Sequence, residues 1–291
     1  MKNDELRLLT PQIIHFRVAS TCNLKCPMCF GTTPHVRTMG LKEIDDSFSF
    51  LKSIGLKSVV ITGGEPLIEK DIVSVLEILN KYRLQIVLFT NGIYLKKYLD
   101  AISNLIDWLV LPIDADNPFT NSAMRVGNIN QWSLVIEALR IISDHSYNFN
   151  VRVGTVVSKL NIDHVTGIPK ILNDLDVKKW KVYQTIFLKK ALKNKELLYV
   201  DDIHFKKTLD NCREEAGKYN IEFHTFKKED REHKDLFMEN NGDIIVTHNG
   251  HEKKTGNIIS NRTDAILNSI KYIDQDYQSS DWKKLYKQND M

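Results

Sequence analysis

The segment Cys22-Asn23-Leu24-Lys25-Cys26-Pro27-Met28-Cys29 places three cysteines on one short loop, directly after an apolar, strand-like run at residues 13–19. Thiolates are soft ligands that suit zinc or iron–sulfur clusters, so the loop can supply three corners of a metal centre. The fourth cysteine, Cys212, lies far along the chain in a charged helical stretch, and we expect it to be a bystander. Because a structural zinc site is nearly always closed by four protein ligands, the loop indicates a metal centre with one open position.

Two other interpretations of the cysteines have to be weighed. A histidine such as His35 would complete a three-cysteine zinc site. Disulfide pairing is disfavoured, because spacings this short close poorly and the sequence shows no sign of secretion. Anaerobic reconstitution separates a cluster from zinc, since only the iron–sulfur cluster absorbs visible light.

The composition is that of an ordinary globular protein with a sizeable core, since 42% of the 291 residues are hydrophobic and 26% are charged. No apolar run reaches the length of a membrane span, and the first residues lack the apolar centre of a signal peptide. We therefore expect a cytoplasmic protein whose cysteines stay reduced. The net charge of +3 is too small to indicate a nucleic acid or a membrane as partner. An anionic ligand must then be bound by local lysines and arginines, and we expect a monomer.

Apolar β-like runs alternate with amphipathic segments over the first two thirds of the chain, which predicts an α/β fold with a parallel sheet. We expect strands near 13–19, 58–62, 85–90, 108–114, 149–157 and 180–187. Between them we expect helices near 41–54, 68–82, 94–106, 131–146 and 164–175. Six such units make a partial (β/α)6 barrel over residues 13–190, with its active site at the carboxyl ends of the strands.

The alternation stops near residue 189. We expect a helix near 201–219, a hairpin of strands 236–239 and 243–247 around an Asn-Asn-Gly turn, and a basic, glycine-containing loop at 251–256. Residues 1–12 are predicted to be an N-terminal extension. Residues 191–291 are predicted to be a C-terminal extension that covers the substrate site, and they contain no cysteine cluster for a second metal centre.

A second motif, Thr62-Gly63-Gly64-Glu65-Pro66, follows the second predicted strand. The two glycines let the backbone approach a ligand closely, Pro66 stiffens the turn, and Glu65 offers a carboxylate acceptor. Alone it is a turn that many folds use. Behind a C-x3-C-x2-C loop, however, it resembles the GGEP motif of the radical S-adenosylmethionine (SAM) enzymes. This resemblance implies that Cys22, Cys26 and Cys29 bind a [4Fe–4S] cluster and that residues 63–66 bind the amino group of SAM.

Polar residues follow the next two strands. Asn91 and Asp114 either form plain turns or reach a bound nucleoside. Arg125 has a planar guanidinium group whose N–H donors suit a carboxylate, although a surface arginine in water is the simpler alternative. Arg152 lies within an apolar strand, and period-2 alternation places Lys181 on the same side of the next strand as Tyr183. Two such cations on neighbouring strands would form a pocket for a polyanion, unless they are strand-end residues in water.

The chain as a whole, from about residue 13, is similar to the viperin family of radical SAM enzymes, and the run Trp180-Lys181-Val182-Tyr183-Gln184 is the most diagnostic part. The resemblance implies that Arg125 binds the SAM carboxylate and that Asn91 and Asp114 lie beside SAM. It also implies that Lys181 and Lys254 grip a triphosphate. Arg152 stands where the family has a lysine.

Four positions depart from the family pattern. Gly31 replaces a histidine, Ser58 a lysine, Gly154 an asparagine and Phe237 a tyrosine. These changes leave the superfamily chemistry untouched, but they leave open the base of the substrate and the product.

The family resemblance implies a dehydratase (lyase) that converts CTP, UTP or GTP into its 3′-deoxy-3′,4′-didehydro analogue by hydrogen abstraction from the ribose 4′ carbon. Such a product terminates viral RNA synthesis, so an antiviral or antiphage role is expected. The partners would be the nucleoside triphosphate and an external electron donor of the flavodoxin or ferredoxin type. The alternatives are a radical SAM enzyme for another small molecule, such as a purine precursor or a sugar nucleotide, and a non-enzymatic zinc-binding module.

Overall fold

The computed structural model describes residues 12–31, 37–231 and 235–273. Within these ranges ten strands form one continuous sheet in the order β10-β9-β8-β1-β2-β3-β4-β5-β6-β7. The strands are β1 (Ile13–Ala19), β2 (Ser58–Gly63), β3 (Gln85–Phe89), β4 (Trp108–Pro112), β5 (Asn150–Val157), β6 (Lys179–Gln184), β7 (Glu222–Phe226), β8 (Leu236–Glu239), β9 (Asp243–His248) and β10 (His251–Asn257).

Strands β1 to β7 are all parallel and follow one another in chain order, as expected for successive β/α units. Helices connect most of the neighbouring strands. They are α1 (Leu41–Ser53), α2 (Ile72–Lys81), α3 (Leu95–Ile102), α4 (Pro118–Met124), α5 (Gln131–Asp144), α6 (Ile168–Asp174), α7 (Lys189–Lys193), α8 (Lys195–Leu198), α9 (Asp202–Lys218) and α10 (Ile258–Ile270). The α/β partial barrel predicted from the sequence is confirmed.

The first strand shows how the sequence sorts its two faces. Phe16 is fully buried in the main core, where its ring lies 5.5 Å from that of Phe48 on α1. The alternate residues His15 and Arg17 point to the opposite side and line a cavity inside the curved sheet. Because successive strand side chains face opposite sides, the even positions of β1 pack against the helices and the odd positions face the cavity.

The C-terminal part extends the same sheet. Strand β8 pairs in parallel with the free edge of β1, and β9 and β10 then add antiparallel neighbours. The predicted hairpin is confirmed, with Met238 opposite Ile244 and Gly242 at a positive φ of 86° in the turn, a conformation that glycine adopts readily.

The loop predicted at 251–256 is wrong, because this segment is strand β10. Its residues lack apolar alternation, and its pairing with β9 at the sheet edge sets the conformation. Strand β7 and helices α4, α7, α8 and α10 were also missed. The predicted helix at 94–106 is shorter, Leu95–Ile102. Among the described helices, none is long and apolar enough to cross a bilayer.

Candidate active site

A cavity of about 360 Å³ opens at the carboxyl ends of the strands, as expected for a parallel barrel. Side chains from the cysteine loop and from strands β1 to β8 line it. Ten of the residues predicted from the sequence are among them: Cys22, Cys26, Cys29, Gly63, Gly64, Glu65, Asn91, Arg125, Arg152 and Lys181. Pro66, Asp114 and Lys254 do not line the cavity.

The three cysteines of the loop are free thiols, with Cys22 and Cys29 exposed and Cys26 buried. The backbone N–H of Leu24 donates to Cys22 Sγ over 3.4 Å, and that of Gly31 donates to Cys29 Sγ over 3.2 Å. Burial raises the pKa of the Cys26 thiol and that of the Cys22 thiol. Hydrogen bonds to sulfur favour the thiolate form, and metal binding requires that form. The donor set therefore fits an iron–sulfur cluster.

Among the described residues, no three His, Cys, Asp or Glu side chains converge as ligands of one metal ion. A cluster does not require such convergence, because each cysteine of a [4Fe–4S] cluster binds a different iron. The zinc alternative invoked His35, which lies outside the described residues.

The segment after β6 holds the cysteine loop from outside. Asn194 Nδ2 donates to the carbonyl oxygen of Pro27 over 3.0 Å, and Lys190 Nζ donates to that of Lys25. Lys189 Nζ donates to the carbonyl oxygen of Gly31 over 2.9 Å. Three side chains thus fix three backbone carbonyls of the loop and its exit. Sequence reasoning missed these contacts.

The two glycines of the Gly-Gly-Glu-Pro turn let β2 approach the start of the cysteine loop. A Cβ at Gly64 would lie 1.8 Å from the carbonyl oxygen of Thr21, and Gly63 has a φ of 133°. The turn is fastened by the Gly64 N–H, which donates to Ala19 over 2.7 Å, and the Glu65 N–H, which donates to Thr21 over 2.8 Å. The two glycines therefore allow close packing between two backbone segments of the protein itself.

Glu65 joins the ends of β2 and β3. Its side chain is buried, and it accepts hydrogen bonds from the Thr90 hydroxyl over 2.5 Å and the Asn91 N–H over 2.7 Å. It also accepts the N–H of Leu67 over 3.0 Å, at the start of a short 3-10 turn that begins with Pro66. Burial raises the pKa of Glu65, and the hydrogen bonds oppose that rise. Glu65 thus ties the turn after β2 to the end of β3.

Asn91 connects β3 to the cysteine loop. Its Nδ2 donates to Asn23 Oδ1 over 2.7 Å and lies 3.9 Å from Cys22 Sγ. Its Oδ1 accepts the N–H of Ile93 over 3.0 Å. The side chain therefore orders the loop beside the first cysteine.

Asp114 and Arg125 form a pair at the cavity wall. Asp114 is fully buried, and its Oδ2 accepts a hydrogen bond from Arg125 Nε over 2.5 Å. Its Oδ1 accepts the N–H of Val156 over 2.8 Å. Burial lowers the pKa of Arg125, but the charge and hydrogen bond of Asp114 and the charges of Cys26 and Cys29 together outweigh it, so the pKa is raised and the guanidinium stays charged. In the described part of the chain only Nε of Arg125 bonds a protein group, which leaves the terminal fork to a ligand.

Two cations line the cavity from β5 and β6. Arg152 is buried and its Nη2 donates to the Tyr183 hydroxyl over 3.2 Å. Lys181 Nζ lies 4.8 Å from the ring centre of Phe226. Burial raises the pKa of Tyr183, while the charge of Arg152 lowers it. The predicted alternation is confirmed, since Lys181 and Tyr183 line the cavity and Trp180 packs in the core.

Lys254 is not brought to these two cations. It is exposed on the edge strand β10, and its Nζ pairs with Asp243 Oδ1 over 2.6 Å on the neighbouring strand. The two residues share a shallow surface depression with Arg37. The structure therefore does not show the expected convergence of three cations.

Three of the four departures from the family pattern, Gly31, Gly154 and Phe237, line the cavity. Gly154 makes room for an aromatic ring, because a Cβ there would lie 3.2 Å from Tyr183 Cε2. Ser58 lies outside the cavity and donates to Gln85 over 3.2 Å. Position 58 therefore contributes no positive charge to the cavity.

A buried charge network joins β1 to the C-terminal extension. Arg17 is 2% exposed, and its guanidinium pairs with Glu239 over 2.6 Å and with Glu252 over 2.5 Å. Lys189 pairs with the other oxygen of Glu252 over 2.8 Å. Burial lowers the pKa of Arg17, yet the Glu252 hydrogen bond and charge outweigh it, and the pKa is raised. Sequence reasoning missed this network, although a single arginine within an apolar strand was a signal.

Comparison with known proteins places this site in a family. Residues 16–168 match the Radical SAM superfamily, and the chain belongs to it. The superfamily uses a [4Fe–4S] cluster and SAM, and these are the expected cofactors of this chain. The fold agrees with the crystal structure of Streptococcus suis SuiB bound to S-adenosylmethionine, with a TM-score of 0.73 at 16% identity over 92% of this chain and 67% of that one.

Two curated relatives have more specific names. An S-adenosylmethionine-dependent nucleotide dehydratase from Flammeovirga pacifica is 25% identical over 182 residues, which cover 60% of this chain and 62% of the relative. A GTP 3′,8-cyclase from Aquifex aeolicus is 25% identical over 176 residues, which cover 57% of this chain and 54% of the relative. The chain thus spans under two thirds of either relative.

Proposed function

We propose that this protein is a radical SAM dehydratase that converts CTP, UTP or GTP into the 3′-deoxy-3′,4′-didehydro nucleotide. The observation that carries the proposal is the arrangement of one cavity. The cysteine loop and Arg125 line it together with Arg152 on β5 and Lys181 on β6. A cavity of this size binds a small ligand, and two cations that line the same cavity as the cysteine loop suit phosphate groups.

The residues take the following roles in this proposal. Cys22, Cys26 and Cys29 hold the cluster, residues 63–66 receive the amino group of SAM, and Arg125 holds its carboxylate. Asp114 and Asn91 act as positioning residues, because they bond Arg125 and the cysteine loop. The cluster and SAM supply the reactive 5′-deoxyadenosyl group when bound.

The substrate side is assigned to the protein's own cations. Arg152 and Lys181 bind phosphate oxygens, which fixes the ribose with its 4′ hydrogen toward the cluster side. Lys254 contributes at most a weak outer phosphate contact, because its charge is already paired with Asp243 outside the cavity. In the net reaction the ribose gives one hydrogen atom to the 5′-deoxyadenosyl group and loses its 3′ hydroxyl as hydroxide. The external donor supplies two electrons, one for SAM cleavage and one that completes the double bond.

The same proposal covers the domain organisation, the cellular location and the partners of the enzyme. Residues 13–190 form the catalytic barrel, and residues 191–291 cover the substrate site. The protein acts as a cytoplasmic monomer that receives electrons from a flavodoxin or ferredoxin, and its product serves antiviral or antiphage defence.

One experiment tests the function directly. The reconstituted, reduced enzyme is incubated with SAM and each of the four ribonucleoside triphosphates, and 5′-deoxyadenosine and the nucleotide product are measured. We expect 5′-deoxyadenosine and a product that is lighter by one water with at least one of them. If 5′-deoxyadenosine and the dehydrated product form with none of the four triphosphates, the proposal is overturned.

A second candidate is a radical SAM reaction on another purine-derived small molecule. The similarity to a GTP 3′,8-cyclase favours it, as does the absence of the family's residues at Gly154 and Phe237 in the cavity wall. Under this candidate the nucleotide product keeps the mass of its substrate or is formed only from a different substrate, which the same measurement detects.

A further inference from the structure

The outer side of the cysteine loop carries a basic and apolar surface that the proposed reaction does not use. It is built by α7 and α8, which rest on the loop through the bonds from Lys190 and Asn194. Its backbone also joins the end of β5, where the N–H of Lys159 donates to Leu198 over 3.1 Å. Any protein that covers this surface therefore comes next to the cysteines.

The charge of this surface is strongly one-sided. Residues 189–199 contain four lysines and one acid, Glu196, whereas the whole chain has a net charge of only +3. Lys189 points inward to Glu252. The remaining lysines of the surface are exposed, and none of them forms an ion pair with a described carboxylate: Lys25, Lys159, Lys190, Lys193 and Lys195.

Large apolar side chains are exposed between these lysines. Leu192 is 53% exposed, Leu197 48% and Tyr199 51%. Val126 is 42% exposed, and its carbonyl oxygen accepts the N–H of Lys25 on the loop itself. Exposed apolar residues near several lysines are typical of a surface for a protein partner.

We propose that this surface, formed by Lys25, Lys159 and residues 190–199, docks an acidic electron-transfer protein of the flavodoxin or ferredoxin type. The inference rests on the proposed function, because only a cluster that must be reduced needs such a partner. Electron-transfer encounters are small and steered by charge. A surface that combines exposed lysines outside any described ion pair with a few apolar contacts, and that touches the cysteine loop, meets both needs.

The test compares two charge-reversal variants of the reconstituted holoenzyme. Lys193→Glu with Lys195→Glu changes the surface without removing a bond to the loop. Lys57→Glu with Arg140→Glu is the matched control, because both residues are exposed and lie before β2 and on α5, away from the loop. Each protein is titrated with a purified acidic flavodoxin at low and high salt, and reduction of the cluster is followed by its visible absorbance with flavodoxin or with dithionite.

We expect the surface variant to bind flavodoxin about tenfold more weakly at low salt and to lose most of the salt dependence, while the control matches the wild type. Reduction and SAM cleavage with dithionite should be unchanged in both. Leu192→Ala should weaken binding while keeping the salt dependence.

Unchanged flavodoxin binding in the surface variant overturns the proposal, as does an equal loss in the control. The proposal is also overturned if the surface variant loses cluster reduction by dithionite as much as reduction by flavodoxin, because the loop itself would then be damaged. If the wild type ignores flavodoxin but binds single-stranded RNA through the same lysines, the surface serves a nucleic acid instead. Failure of SAM cleavage with dithionite, by contrast, concerns the proposed function alone.

Discussion

Asp114 Oδ2 lies 2.5 Å from Arg125 Nε, and the same carboxylate accepts the backbone N–H of Val156 through its other oxygen. The buried acid thus orients a guanidinium whose terminal fork remains available at the cavity wall. Asp114 lies behind the site, although its position after β4 suggested a residue beside the ligand. Its proposed contribution to SAM binding acts through Arg125.

Replacing Asp114 by Asn should both destabilise the protein and weaken SAM binding. The variant leaves the Arg125 charge without its buried partner, which costs about 3 kcal/mol of unfolding free energy. Urea unfolding of the apoprotein and SAM titration of the holoenzyme measure the two effects. Asp116→Asn is the matched control, because Asp116 is one third exposed and its carboxylate contacts His164 and Asn117 rather than an arginine. Equal effects of the two substitutions would show that the Arg125 pair has no special role.

Gly64→Ala should prevent normal assembly of the cysteine loop. A Cβ placed 1.8 Å from the Thr21 carbonyl oxygen must push the loop away from β2, at a cost of about 3 kcal/mol or more. Iron content after reconstitution and the thermal midpoint report the change. Gly217→Ala serves as the control, because nothing lies within 4 Å of a Cβ there and alanine favours helix α9 by about 1 kcal/mol. An alanine at position 64 that keeps full iron content contradicts the packing argument.

The site was predictable from sequence where its residues are neighbours along the chain. The cysteine loop and the turn at residues 63–66 are local motifs with their own chemistry. The partners of Arg17, in contrast, are 222 and 235 residues away, and no local pattern indicates which carboxylates will neutralise a buried arginine. The position of Lys254 was missed for a similar reason, since its ion pair depends on the register of β10 against β9.

The Arg17 network should make stability depend on acidic pH through Glu252. Burial raises the pKa of Glu252, but the Arg17 hydrogen bond and charge outweigh it and hold the pKa below the ordinary value of 4.5. A carboxylate whose folded pKa is lowered stabilises the fold fully above its unfolded pKa and loses that contribution as pH falls through the folded value. Glu252→Gln should therefore cost about 2 kcal/mol at neutral pH and progressively less below pH 4.5.

Urea midpoints of wild type and Glu252→Gln, measured from neutral to acidic pH, check this expectation. Glu43→Gln provides the comparison, because Glu43 pairs with an exposed Arg37 and its loss should matter far less. A difference between wild type and Glu252→Gln that stays constant at every pH would rule out the linkage.

The two lysines assigned to phosphate should differ in effect. Lys181 lines the cavity and is only 7% exposed, so Lys181→Met should weaken binding of the preferred nucleoside triphosphate about ten- to a hundredfold. Lys254→Met should cost at most about threefold, because its charge is already paired with Asp243 outside the cavity. Lys253→Met is the control, since this lysine bonds Tyr272 instead. Titration calorimetry with the triphosphate and the diphosphate, at unchanged SAM affinity, measures these effects. If Lys254→Met weakens binding as much as Lys181→Met, the Asp243 pair must open on binding. If neither substitution weakens binding, Lys181 is not a phosphate ligand.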